Sequence, residues 1–302
     1  MAPTKMCSDL KMLQSMFLSK YRDTIFVSID FEGGRCKEAE FRIYEIAISM
    51  LDTRRILEQN LPLEDAITTR HFVVGGHRRL TKAVKENLFG VSEAIDAENI
   101  PATIRETLSV KDTETSSSPP SKKSKLRNIV VVGHSFHTDS QLLLEVGLDI
   151  SLLPMVIKIV DTQTLAKSVL GKGGSVEYPL KAFRIPYKNL HSAANDANLT
   201  LKAFLMLIHL TLRQFPCPEF NGTVFRTEEG RKLAWLQAVA RQELPDMEAR
   251  NEAWRDLKAE GIGILWGSGM LDCDYMSESN VSDPVEDLVS TTGILVNASQ
   301  GH

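Results

Sequence analysis

The chain has 302 residues, 43% hydrophobic and 25% charged, with a formal net charge of −4. These fractions are ordinary for a globular protein and exclude collagen-like, coiled-coil and disulfide-rich classes. The charge is unevenly spread: residues 270–302 hold six acids and no Lys or Arg, leaving 35 basic residues to face 33 of the 39 acids. A strongly basic coat of the kind that binds nucleic acid by charge alone is therefore absent.

The N-terminal segment, residues 1–23, carries Lys5, Asp9 and Lys11 where a signal peptide needs an unbroken apolar core. Residues 24–31, TIFVSIDF, have the length and β-branched character of a strand, and residues 41–51, FRIYEIAISML, read as a second, with Gly33-Gly34 in the connection between them. A weaker third strand is expected through residues 54–58, with an extended piece at 71–74, and a helix around Pro101 within residues 92–108. Residues 111–127, KDTETSSSPPSKKSKLR, contain too little apolar surface to offset the entropy of ordering, and read as a disordered insertion within a domain. The SKKSKLR run inside it is a candidate nuclear-import signal.

Residues 128–133, NIVVVG, read as a fully buried strand, followed by a helix over 135–146, a strand over 155–160 and a helix over 162–170 that Gly171 stops. A long amphipathic helix is expected over 192–212, with Ser192 or Asn195 as its N-cap, and two more over 227–244 and 245–260, with Leu233, Trp235, Trp254 and Leu257 at core-facing spacing. The apolar run 199–212 is broken by Lys202 and His209 and falls short of the ~20 residues of a membrane span. Cys7, Cys36, Cys217 and Cys273 form no CxxC pair and read as reduced thiols. The expectation is a soluble cytoplasmic and/or nuclear protein with an α/β architecture. It comprises a mixed five-stranded sheet, three antiparallel strands followed by alternating β and α, with helices on both faces. This domain spans residues 24–216, a helical extension covers 217–270, and an acidic disordered tail covers 271–302.

The residues with chemistry sit at the ends of these elements. Asp30 and Glu32, at i and i+2 on a strand, leave the same face with Cβ atoms roughly 6.5–7 Å apart. Two carboxylates so spaced can bridge divalent cations ~3.5–4 Å apart. Asp139 falls in the first turn of a helix, where the dipole favours it, flanked by His134 and His137, which are not assigned as ligands. Asp196 falls in the first turn of the long helix with His191 in the loop before it. Four carboxylates converging without cations would repel one another, whereas Mg²⁺ or Mn²⁺ takes oxygen ligands and removes the repulsion. A histidine beside them is suited to general-base work.

IDFE, VVGHSFHTDSQLL and HSAANDA, in this order and ending in H-x4-D, resemble the three motifs of the DEDDh 3′–5′ exonucleases, which have a ribonuclease-H-like fold. YEIAIS, VDTQTLA and LHSAANDANLTL are similar to one branch in particular, the fungal Gfd-like proteins, whose name is linked to mRNA export. The resemblance implies that Asp30, Glu32, Asp139 and Asp196 hold two Mg²⁺ or Mn²⁺ ions around a scissile phosphate. It implies also that His191 deprotonates the attacking water, releasing nucleoside 5′-monophosphates. The implied partner is a single-stranded 3′ end, RNA ahead of DNA, with an mRNP or protein partner through the C-terminal region and no membrane. The alternative is a catalytically weak or inactive adaptor with the same fold, in which Arg54, Arg55, Arg78, Arg79, Lys181, Arg184 and Lys188 contact phosphates and Tyr187 stacks on a base.

Overall fold

Successive side chains of a strand leave opposite faces, and the first strand uses both. In β1 (Thr24–Arg35), Ile25, Val27 and Ile29 join one buried apolar cluster while Phe26 joins a second. The computed structural model of the chain describes residues 8–9, 11, 23–35, 41–56, 61–75, 83, 85–112, 125–214 and 228–246. The four cysteines, Arg78, Arg79, Trp254, Leu257 and the acidic tail lie outside the described residues.

β1 pairs antiparallel with β2 (Phe41–Asp52), which pairs antiparallel with β3 (Thr68–Val74). On its other side β1 runs parallel to β5 (Asn128–Gly133), and β5 to β6 (Val156–Asp161). Among the described residues the sheet has six strands, not five: β4 (Val91–Ile95) adds to β3 in parallel, giving the order β4-β3-β2-β1-β5-β6. β4 occupies the start of the stretch expected to be helical. Its residues, VSEAI, are mostly exposed, and the short strand forms because β3 offers it a partner, which its own sequence does not announce. The helix expected there is α1 (Ile100–Leu108), with Pro101 in its first turn, where a missing N–H does no harm. The weaker third strand expected from residue 54 is not found, since Thr53–Arg55 is a single 3₁₀ turn, whereas the extended piece expected at 71–74 is part of β3.

α1 and α2 (His137–Glu145) cover one face of the sheet through Ile100, Ile104, Leu108, Leu142 and Leu143. The other face is covered by α3 (Thr162–Leu170), α4 (Glu177–Phe183), α5 (Ala193–Gln214) and α6 (Glu228–Ala240). α4 was not anticipated. α5 is the central element of this layer. Phe204 meets Phe26 edge-on, with ring centroids 5.2 Å apart, a favoured aromatic arrangement. Ala193, Ala194 and Ala197 pack on Ala47 of β2, and these small side chains let the helix approach the sheet closely. Lys202, which interrupts the apolar run, is buried with Nζ 4.8 Å from the centre of the Phe89 ring; burial lowers its pKa to about 8. Leu233 and Leu236 of α6 are buried against the layer and Trp235 packs beside them, while residues 241–246 are not helical. No helix among the described residues is long and apolar enough to cross a membrane.

The two ends of the expected insertion belong to the fold. The Asp112 N–H donates to the Lys125 carbonyl at 2.8 Å and the Arg127 N–H to the Val110 carbonyl at 2.9 Å, so only 113–124 fall outside the described residues. Arg127, 4% exposed, grips both carboxylate oxygens of Asp52 at 2.7 and 3.0 Å. Arg54 binds Asp112 at 2.9 Å, and both arginines also reach Asp23. Arg54 is thus committed to two carboxylates and is not the phosphate contact expected for the adaptor. Removing Arg127 takes a charged partner from Asp52 and Asp23, both of which are part-exposed. Arg127→Ala is expected to lower unfolding free energy by about 1–3 kcal/mol, read from the midpoint of urea denaturation.

Candidate active site

Asp30 and Glu32 share the Phe26 face of β1, which looks toward α5. Their partners across the ladder are Ala47 and Glu45. The register slips just beyond Glu32: Gly33 pairs with Ile43, so Tyr44 is an extra residue on β2. Such a bulge re-aims neighbouring side chains and is common beside functional sites. Gly33 and Gly34, expected in the connection, continue β1, and a Cβ on Gly34 would come within 3.4 Å of the Tyr44 ring.

Asp139 is placed by the turn after β5. A Cβ on Gly133 would lie 2.3 Å from the Phe136 side chain, so glycine is required for the chain to fold over itself there. The Asp161 carboxylate at the end of β6 accepts the backbone N–H groups of Ser135 (3.3 Å) and Phe136 (3.0 Å), and also caps α3 through Gln163 N–H at 2.7 Å. One side chain therefore ties the turn carrying Asp139 to the next helix. His134 donates from Nε2 to the Gly174 carbonyl at 2.7 Å, and His137 is exposed beside Gln141. Neither histidine is bonded to the acids.

His191 and Asp196 bracket the start of α5. His191 has a left-handed backbone (φ 68°), a strained state for a non-glycine residue that persists only where its surroundings hold it. Its N–H donates to Asp196 Oδ2 at 3.0 Å. Asn195 does not cap the helix. Buried, it donates to the carbonyls of Asn189 (2.8 Å) and Glu86 (2.9 Å) and accepts from Leu88 N–H (2.7 Å), fastening the His191 loop to a distant segment. Ser192 stands just before the helix and its carbonyl accepts the Asp196 N–H at 2.9 Å, but its Oγ has no hydrogen-bond partner among the described residues, so its side chain does not cap.

The five residues singled out from sequence converge. One donor atom each from Glu32, His191 and Asp196 lies within 4.8 Å of the others. Asp30 and Asp139 are near enough to act on them electrostatically. Asp30 is held well above the ordinary carboxylate range by burial and then by Asp196, Asp139, Glu32 and Glu45. Burial, then Asp196 and Glu45, push Glu32 up to about 7 against the lowering effect of His191. Burial, Glu32 and Asp161 push Asp139 up to about 7. Asp196 rises to about 6, chiefly by burial, although the His191 N–H and ring pull it down. Glu45 is a further acid of the site that lies outside the three sequence motifs. The signal lay in YEIAIS: with β1 and β2 paired as a hairpin, a Glu can fall opposite Glu32.

The donor set fits hard divalent cations. It is made of carboxylate oxygens, and Asp196 Oδ1 is buried with no hydrogen-bond partner among the described residues. Asp30, Glu32, Asp139 and Asp196 are the residues that would hold such ions.

A mixed sheet with helices on both sides, two acids within β1, one in the first turn of α2 and a fourth in the first turn of α5, defines a ribonuclease-H-like α/β class. A family model described as the DNA polymerase III subunit epsilon-like, C-terminal domain (DEDDh_C) matches residues 25–207, and the chain belongs to this family. Among solved structures, exonuclease I is similar at 14% identity over 64% of this chain and 42% of its own, with a TM-score of 0.39. The nuclease domain of 3′hExo, a DEDDh family member bound to rAMP, is 13% identical over 66% of this chain and 95% of its own, with a TM-score of 0.35. A 3′-exonuclease that recognises the 3′ end of the histone mRNA stem-loop is 11% identical over 68% and 70%, with a TM-score of 0.37. The chain thus spans less than half the length of exonuclease I. No curated protein matches it.

Carboxyl groups raised in the folded state stabilise it most below their unfolded values near pH 4, and that contribution is lost as pH rises through about 7. The metal-free protein is therefore expected to lose thermal stability across pH 4–7. Added Mn²⁺ or Mg²⁺ should raise the melting temperature more at pH 8 than at pH 5.5, as differential scanning fluorimetry would show.

Proposed function

We propose that the protein is a metal-dependent 3′–5′ exonuclease that hydrolyses phosphodiester bonds of RNA or DNA. The observation that carries this reading is the convergence of Asp30, Glu32, Asp139 and Asp196 beside His191, with one Asp196 oxygen buried and unpartnered. Divalent ions held there would supply Lewis-acid stabilisation of the charge that develops on the phosphate. The residues of the chain do the rest. The four carboxylates, mutually destabilised as anions, are poised to take up cations by releasing protons. The exposed His191 ring, held next to Glu32 and Asp196 by a strained backbone, takes the proton of the attacking water. The substrate is a 3′ end, with single-stranded RNA placed ahead of DNA. The similarity of YEIAIS, VDTQTLA and LHSAANDANLTL supports a place in the fungal Gfd-like branch, with a cytoplasmic and/or nuclear site of action.

The test is digestion of 5′-labelled single-stranded RNA and its DNA counterpart with Mn²⁺, with Mg²⁺ and with EDTA. A ladder shortening from the 3′ end in metal alone, absent in Asp196→Ala and in the Asp30→Ala/Glu32→Ala double variant, is the expected result. His191→Ala should lower kcat by about 10²–10⁴-fold while leaving Mn²⁺ affinity nearly unchanged. No cleavage by folded wild-type protein, together with tight binding that weakens with salt, would replace this reading with the adaptor.

A further inference from the structure

Resting on the reading of the site as a carboxylate-lined metal centre, we propose that Glu45 is a positioning residue of that centre. It clamps the first turn of α5 to β2, and it is itself held by a hydrogen-bonded chain through His71, Ser92 and Asn87. Glu45 stands opposite Glu32 in the β1–β2 ladder, at the last regular pair before the bulge. Its Oε2 accepts from His71 Nε2 at 3.1 Å and from the Ala193 N–H at 3.3 Å.

A carboxylate can only accept, so His71 Nε2 carries the hydrogen. His71 Nδ1 lies 2.9 Å from Ser92 Oγ, which accepts from Asn87 Nδ2 at 3.2 Å. Asn87 is fixed by the Phe89 N–H, which donates to its Oδ1 at 2.8 Å. His71 and Asn87 are fully or almost fully buried. A buried, satisfied polar network of this kind fixes one geometry, because each displaced member would leave a partner unpaired. The chain crosses β2, β3 and β4, which gives the unannounced edge strand a role: β4 delivers Ser92 to His71.

The clamp acts at the place that decides the site. Ala193 is the first residue of α5, two residues after His191 and three before Asp196. Neither Ser192 nor Asn195 caps this helix start with its side chain, whereas Glu45 brings an acceptor to one of its otherwise unpaired N–H groups. The charge of a carboxylate suits the positive end of the helix. Glu45 therefore sets where Asp196 and His191 stand relative to Asp30 and Glu32.

The experiment compares full-length wild type with Glu45→Gln, Glu45→Ala and Ser92→Ala. It reads Mn²⁺ affinity from the electron paramagnetic resonance signal of free ion, and amide hydrogen exchange at residues 193–196 in metal-free protein. Glu45→Ala is expected to weaken Mn²⁺ binding about 10–100-fold, the range for partners that orient metal ligands, and to speed exchange at 193–196. Glu45→Gln keeps an acceptor oxygen and is expected to restore both properties to within about threefold of wild type. If Glu45→Ala does not fold, Ser92→Ala carries the test with the same changes at a smaller size, about two- to fivefold. Wild-type exchange and affinity in the truncated variants would overturn the proposal. So would a Gln variant as weak as Ala with protected amides, which would make Glu45 an ion-holding charge. If the wild type takes up no Mn²⁺, the exonuclease reading fails by itself. The exchange rates at 193–196 then still decide whether Glu45 holds the helix.

Discussion

Like charges brought together in a partly buried place repel, and most of what surrounds this site resists that repulsion. Asp30, Glu32, Glu45, Asp139 and Asp196 would separate if their backbones were free to relax. They cannot. Asp30, Glu32 and Glu45 are fixed by the β1–β2 ladder, Asp139 by the Asp161 clamp on its turn, and Asp196 by a helix seated on Ala47. The strain is expressed as protonation: four of the carboxyls are held above their ordinary range, with burial the largest cause in each and neighbouring carboxylates adding to it. Divalent cations bound among these carboxylates would relieve repulsion and desolvation together.

Rigid scaffolding comes from two apolar layers sharing one sheet. β1 and β5 contribute alternate residues to each layer, so neither helix layer can shift without disturbing the strands that carry Asp30 and Glu32. α5 is placed by contacts of different kinds at successive turns. The Ala193–Ala197 patch sets its height above β2, and Phe204 against Phe26 anchors its middle. His191 and Asp196 emerge from the end of a helix that is buried over most of its length, and this gives their loop a firm base.

Charge at the opposite end of the sheet serves a different purpose. Arg54 and Arg127, joined to Asp23, Asp52 and Asp112, bind the ends of the polar insertion to the β1–β2 hairpin. The insertion can vary in its middle without loosening β5, which begins at the residue after Arg127. Arg54, which looks like a nucleic-acid contact in the sequence, is here spent on holding the chain together.

Much of the fold and site was legible in the sequence, for local reasons. NIVVVG has no polar side chain inside the strand and could only be a buried strand. Gly171 marks the stop of α3, where it takes the left-handed conformation that suits glycine. Asp30 and Glu32 share a face because strand period is two. Other features depended on partners far away in the chain. β4 is a short, mostly exposed segment that becomes a strand by pairing with β3, Arg54 turns inward to Asp112 and Asp23, and Asn195 joins Glu86, Leu88 and Asn189 in place of capping the helix. Glu45 is the plainest case. Its residue type and position are visible in the sequence. Its place opposite Glu32, under the first turn of α5, follows only from strand register and helix docking, which are long-range pairings that no local pattern encodes.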